Sequence, residues 1–120
     1  MKCECTKIPK ISYYERLSNE FFKFLKKVEV SGWYELYQCS ICGQYWRIDL
    51  YDKYQQRFVV KFSNIGNWKN FDATDLIKEL IITEHGGLQD KDCIMKDCKN
   101  KRVVKSVYCI DHLFEGGIRK

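Results

Sequence analysis

The sequence predicts an α+β fold: an antiparallel three-stranded meander with two flanking helices and a cysteine knuckle, followed by a small C-terminal Cys3His module. Three observations predict it. Apolar residues recur at helical spacing over 12–31 and again over 72–84, and between these stretches they alternate with polar ones. Seven cysteines and one of the two histidines fall into tight pairs. Residues 90–120 hold eight basic and five acidic residues but few large apolar ones.

The first helix is read from Ser12. Ser12-x-x-Glu15 has the form of a capping box, and Tyr13, Tyr14, Leu17, Phe21, Phe24, Leu25 and Val28 follow as one apolar stripe. Glu20, Lys23, Lys26 and Lys27 fall on the opposite side, and Ser31-Gly32 ends the segment. The stripe is assigned to the core, because nothing else in the first third of the chain can cover a sheet.

Trp33 to Gln38 is rich in aromatics and alternates, which predicts a first strand. Cys39 to Cys42 is a turn, followed by Gly43. Tyr45 to Tyr51 alternates cleanly, with Trp46, Ile48 and Leu50 on one face and Arg47 and Asp49 on the other. Asp52 to Gln56 is polar and reads as a turn. In the third strand Phe58, Val60 and Phe62 alternate with Arg57, Val59 and Lys61. Ser63 to Asn70 is a loop containing Trp68.

The second helix runs from Asp72 to Glu84. Asp72 suits its N-cap, Ala73, Leu76, Ile77, Leu80 and Ile81 form its buried stripe, and Gly86-Gly87 stops it. The domain boundary is therefore expected at 89/90, giving an α+β domain over 1–89 and a module over 90–120. A module of about 31 residues with so few apolar side chains needs a further source of folding free energy. Structural zinc supplies on the order of 10–16 kcal/mol in finger peptides.

Composition bounds the function. A chain of 120 residues, 45% hydrophobic and 15% aromatic, builds one modest core and not a multidomain enzyme. No apolar run approaches the roughly 18 residues that span a bilayer, so no membrane association is expected. Met1-Lys2-Cys3-Glu4-Cys5 lacks an apolar signal region, so the expected location is cytoplasmic. Reduced thiols are expected there, and an odd number of cysteines agrees with that rather than with a disulfide framework.

The eight candidate ligands are Cys3, Cys5, Cys39, Cys42, Cys93, Cys98, Cys109 and His112. They occur as Cys3-x-Cys5, Cys39-x2-Cys42, Cys93-x4-Cys98 and Cys109-x2-His112, a spacing that scattered core cysteines would not show. Eight ligands make two tetrahedral Zn²⁺ sites with none left over. In Cys39-Ser40-Ile41-Cys42-Gly43 both sulfurs turn to one point, and Gly43 permits a positive φ past the second ligand. With strands on either side this resembles one knuckle of a zinc ribbon, a zinc-ribbon-like site in which Cys3-x-Cys5 replaces the usual second CxxC. Cys3 and Cys5 project to the same side of an extended segment. Strand-like residues follow Cys42, which argues against a redox pair, since such a pair opens a helix.

Sequential pairing, Cys3/Cys5 with Cys39/Cys42 and Cys93/Cys98 with Cys109/His112, closes the shorter loop at the second site. A cross-braced arrangement, Cys3/Cys5 with Cys93/Cys98 and Cys39/Cys42 with Cys109/His112, is the alternative. Four protein ligands at each site is the structural pattern and not the catalytic one.

No Gly-rich phosphate loop, HExxH motif or nucleophile paired with a histidine is present, so no catalytic residue is assigned and the chain is not expected to be an enzyme. His85 sits where it can cap a helix C-terminus, and Asp72 and Asp75 read as helix-start charges. Lys96, Lys99, Lys101, Arg102 and Lys105 could contact phosphates. However, seven thiolates subtract seven charges and two Zn²⁺ restore four, which lowers the formal +5 to about +2 and weakens the case for nucleic acid. Trp33, Tyr34, Tyr37, Tyr45 and Trp46 surround the first knuckle. Half of them should face the core, and the others could be hot spots for a protein partner or stacking platforms for bases.

Two resemblances follow from these motifs. The layout Gly32-Trp33-Tyr34-Glu35-Leu36-Tyr37-Gln38-Cys39-Ser40-Ile41-Cys42-Gly43-Gln44-Tyr45-Trp46, after a short helix and an N-terminal Cys3-x-Cys5, resembles small bacterial immunity-type proteins encoded beside polymorphic toxins. It covers roughly residues 1–80 and implies a stoichiometric inhibitor of one cognate toxin domain. Cys98-x10-Cys109-x2-His112, with Tyr108 before the last cysteine, is similar to the plant WRC domain, a DNA-binding element, although the first spacing is four rather than nine. The expected function is thus a non-catalytic, zinc-stabilised binding protein with a cognate protein partner and little or no nucleic-acid binding. A nucleic-acid-binding zinc finger and a zinc-stabilised adaptor subunit are the alternatives.

Overall fold

A computed structural model describes residues 3–49 and 56–120. The expected polar turn at Asp52 to Gln56 and the end of the second expected strand lie almost wholly outside the described residues. The chain divides into two compact units, residues 1–73 and 74–120.

The first unit is an antiparallel sheet of five strands: β1 (Ile11–Tyr13), β2 (Leu25–Ser31), β3 (Tyr34–Cys39), β4 (Tyr45–Asp49) and β5 (Phe58–Phe62), in the order β1-β5-β4-β3-β2. The expected meander is its centre, β3-β4-β5, with Tyr37 opposite Trp46 and Ile48 opposite Val59. Two further strands close its flanks, so the three-stranded expectation was too narrow.

Both extra strands come from the stretch expected to be one long helix. Residues 11–31 instead form β1, a single 3-10 turn at Tyr14–Arg16, the five-residue helix α1 (Asn19–Lys23) and β2. Ser12 does not cap a helix; its hydroxyl donates to the Tyr13 carbonyl. The cap is Ser18, whose Oγ accepts the Phe21 amide at 3.2 Å. Beyond Lys23 the backbone bonds to β3, with Leu25 opposite Cys39 and Ser31 opposite Tyr34. Cross-strand pairing has overridden a helical pattern there, which the β-branched Val28 and Val30 favour. The register shifts between Lys27 and Glu29, a bulge that together with Lys26 and Lys27 blunts this edge strand.

Most apolar residues of the expected stripe still reach the core, by turns rather than one helix face, but Val28 on the edge strand β2 is 50% exposed. Cys5, Ile8, Phe21, Cys39, Trp46, Ile48 and Val59 form a buried cluster, and Tyr14, Leu17, Phe22, Phe24 and Leu25 pack against it. Phe21 meets Trp46 edge to face with ring centroids 5.0 Å apart.

The opposite face of the sheet is covered as well, by residues 63–73. Trp68 and Ala73 are buried, and the Phe71 ring meets Phe62 edge-on at 5.2 Å. Trp68 Nε1 donates to Glu29 at 3.0 Å. Consequently Phe58, Val59 and Val60 are all buried, although they point alternately to the two faces. Arg47, on the face expected to be polar, is only 2% exposed. Its Nη1 donates to the carbonyls of Trp68 at 3.1 Å and Phe71 at 2.8 Å, and its guanidinium lies 4.1 Å from the Tyr34 ring centre. Asp49 lies 3.5 Å from Arg47 Nε. The guanidinium thus ties the covering loop to the sheet.

The second unit comprises α2 (Thr74–His85), β6 (Leu88–Asp92), β7 (Lys101–Val103) and α3 (Ile110–Glu115). Gly86 and Gly87, at φ +100° and +107°, end α2, and the Gly87 amide donates to Ile82 O at 2.9 Å. Ile81, Val103 and Leu113 are buried in this unit, as are Cys93 and Cys109. The helices α2 and α3 are in contact, and Lys78 reaches Asp111 at 3.0 Å. The expected boundary at 89/90 therefore cuts through β6, and α2 belongs with the C-terminal module. The module gains in α2 the apolar surface that its own sequence lacks.

Candidate metal centres

Two four-residue groups bring their donor atoms together, each within 4.8 Å: Cys3, Cys5, Cys39 and Cys42 in the first unit, and Cys93, Cys98, Cys109 and His112 in the second. These are the sequential sets, and the cross-braced arrangement is not formed. Each group could hold one metal ion.

At the first centre the knuckle is closed by the Gly43 amide donating to Cys39 O at 2.9 Å and the Cys39 amide donating to Gln44 O at 2.8 Å. Gly43 takes φ +80°, as the turn requires. Cys39 ends β3, while Cys5 opens a 3-10 turn over Cys5–Lys7. Burial pushes the Cys39 thiol up, but the amides of Cys42 and Ile41 donate to its sulfur and the net result is a pKa of about 7. Burial also raises Cys42 above the ordinary thiol range. At Cys5 burial raises the thiol strongly, and the Trp46 indole N–H, 3.3 Å from the sulfur, acts in the opposite direction. Trp46 is fully buried, so this is a fixed donor aimed at a ligand sulfur.

At the second centre Cys109 is the N-cap residue of α3, and His112 lies one helical turn on. His112 presents Nδ1 to Cys109 at 3.1 Å and to Cys93 at 3.4 Å, while Cys98 and Cys109 sulfurs are 3.8 Å apart. A tetrahedral ion bound at about 2.3 Å sets its sulfurs about 3.8 Å apart, so the spacing fits. Burial opposes ionisation of Cys93, but the Met95 and Cys109 amides and the neighbouring thiols bring it to about 6. Burial likewise opposes ionisation of Cys109, and the His112 amide leads the groups that bring it below the ordinary value. The Cys109 sulfur in turn raises His112. Asn100 Nδ2 lies 3.8 Å from the Cys109 sulfur and 3.4 Å from Asp111. Amides and side-chain donors directed at several sulfurs are the environment a metal thiolate set needs.

The sequence did not indicate Trp46 or Asn100 as supports for the ligands, and no local motif could have done so. Each lies beside its sulfur only because the chain has folded back on itself.

His85 belongs to neither group. Its Nδ1 is 3.1 Å from Val104 O and its Nε2 is 3.4 Å from Lys120 O, at the C-terminus of α2. Within the basic stretch one cation is paired, Lys101 with Asp92 at 3.0 Å, while Arg102 Nε donates to the Asp92 backbone carbonyl at 2.8 Å and keeps its charge. Of the aromatics expected around the knuckle, Trp46 is buried and Tyr34, Tyr37 and Tyr45 are half-buried, whereas Trp33 is 67% exposed and lies in the β2–β3 turn, at the end of β3 away from Cys39. No helix among the described residues is long and apolar enough to cross a membrane. No family model, curated protein or solved structure matches the chain.

Proposed function

We propose that the chain is a non-catalytic protein-binding module stapled by two Zn²⁺ ions, acting as an immunity-type inhibitor of a cognate bacterial toxin domain. The observation that carries the non-catalytic part is the donor count. Each group offers four protein donors, which saturates a tetrahedral ion and leaves no position for substrate or reactive water. Thiolate-rich sets with one or no imidazole favour zinc among the available divalent ions.

The immunity role rests on the resemblance of the first knuckle and its aromatic flanks, and the exposure of Trp33 supports a protein partner. A nucleic-acid-binding role is the second reading, supported by the basic residues between Lys96 and Lys105. Asp92 works against it by pairing its carboxylate with Lys101.

Elemental analysis of protein purified without chelator should find two zinc per chain, and one or none defeats the metal assignment. Expressed with the toxin domain of the adjoining gene, the chain should restore host growth and elute with that domain as a one-to-one complex. Loss of growth despite expression of both, or an adjoining gene that encodes no toxin, defeats the immunity role.

A further inference from the structure

The second centre carries a surface that its structural role does not explain. Ile94 and Met95, inside the Cys93–Cys98 knuckle, are 57% and 44% exposed. Val107 and Tyr108 are exposed as well. The Ile94 amide donates to Val107 O at 2.9 Å, which puts the two segments side by side. Val107 and Tyr108 also line an open groove of about 680 Å³, together with Arg102, Lys105 and neighbouring residues. An aliphatic patch therefore continues into a groove edged by cations.

We propose that this knuckle and groove form a docking surface for an acidic peptide segment with interspersed apolar side chains, on a protein partner. The inference rests on reading the chain as a protein-binding module and names the face that does the binding. Two observations select the occupant. Ile94, Met95 and Val107 are aliphatic, and only a partner that contributes apolar surface gains from covering them. Arg102 and Lys105 line the groove, and the stretch from Lys96 to Lys105 stays net positive after Asp97 is counted and Lys101 is paired with Asp92, so the local charge is complementary to carboxylates. A phosphate backbone would use the cations but would leave the aliphatic patch in water, and Tyr108 alone offers little stacking surface for bases.

The test measures fluorescence anisotropy of three labelled probes against the zinc-loaded full chain. One is a twelve-residue peptide of alternating Glu and Leu, one is polyglutamate of equal charge, and one is an oligo-thymidine strand. The Glu-Leu peptide should bind tightest. Ile94→Glu and Val107→Glu should each weaken it about tenfold or more, as loss of a central anchor does. Lys105→Gln should weaken it less and flatten its salt dependence. Both glutamate variants should keep two zinc per chain and an unchanged circular dichroism spectrum, since both side chains are exposed in the native fold.

Equal binding of polyglutamate that is indifferent to Ile94→Glu overturns the proposal in favour of charge alone. Tighter binding of oligo-thymidine overturns it in favour of nucleic acid, and no binding of any probe overturns it outright. Growth protection separates this outcome from failure of the immunity role. If only the docking face is wrong, the native chain and Ile94→Glu protect equally. If the immunity role is wrong, neither protects.

Discussion

Replacing Trp46 by Phe tests whether the core and the first metal centre are one construction. The indole N–H lies 3.3 Å from the Cys5 sulfur in a fully buried setting. A hydrogen bond to a charged acceptor contributes about 1.5–3 kcal/mol. Phenylalanine lacks the donor, so metal affinity at this centre should fall by about one to two orders of magnitude, the range seen when groups that hydrogen-bond to metal ligands are removed. The smaller ring also loosens the edge-to-face contact with Phe21, which costs stability whether or not metal is bound. Phe21→Leu separates the two effects, because it disturbs the same contact and leaves the indole donor in place. The assay is competition with a chromogenic chelator, with Co²⁺ absorption reporting each centre and the Cys93–His112 centre serving as internal reference. Trp46→Phe should weaken the first centre alone, and Phe21→Leu should lower the unfolding temperature with a much smaller change in affinity. Equal loss of affinity in the two variants would show that the indole acts only through packing.

Three further outcomes follow from the geometry. His112→Ala should remove amide-exchange protection across the second unit, α2 included, while residues 3–49 and 56–73 keep theirs; global unfolding in one transition would refute independent units. Arg47→Lys keeps the charge but loses the planar fork that reaches two carbonyls and stacks on Tyr34, and should cost about 1–3 kcal/mol in denaturant unfolding, whereas an unchanged midpoint would mean the guanidinium is dispensable. The Lys27 ammonium, 2.6 Å away, holds the Glu35 carboxyl below its ordinary value against the opposing effect of burial. Because the folded pKa is the lower one, that stabilisation is present above the ordinary carboxylate range and is lost as pH falls through the depressed value. Glu35→Gln should therefore lower stability at neutral pH and flatten its acid limb, and an identical pH profile would remove Glu35 from the account.

Much of the two candidate metal groups was legible in the sequence. Cysteine and histidine spacing is local, and a tight turn delivers both of its ligands to one point whatever the rest of the chain does. Loop length then favoured the sequential sets, which are the ones the fold assembles. The central strands were legible for a similar reason, since period-two alternation is the pattern of a pleated backbone. The stop of α2 at Gly86-Gly87 was equally local, because a positive φ is a property of the glycine itself.

Residues 12–31 show where local pattern runs out. Tyr14, Leu17, Phe21 and Leu25 satisfy a helical period, and they do reach the core. The backbone that carries them was decided by β3, whose free edge offers partners to alternate amides and carbonyls of β2, a gain that no window of sequence contains. Arg47 is the same lesson in charge. Alternation placed it correctly opposite Trp46 and Ile48, but only the return of residues 63–73 over that face turned a solvent-side arginine into a buried one held by carbonyls and rings. By itself the sequence determined which residues could bind metal, because ligand spacing and turn geometry act within a few residues. Only the tertiary structure decided which backbone carried the first core residues, which donors faced the sulfurs and where the units divide, because each depends on segments distant in the chain meeting in space.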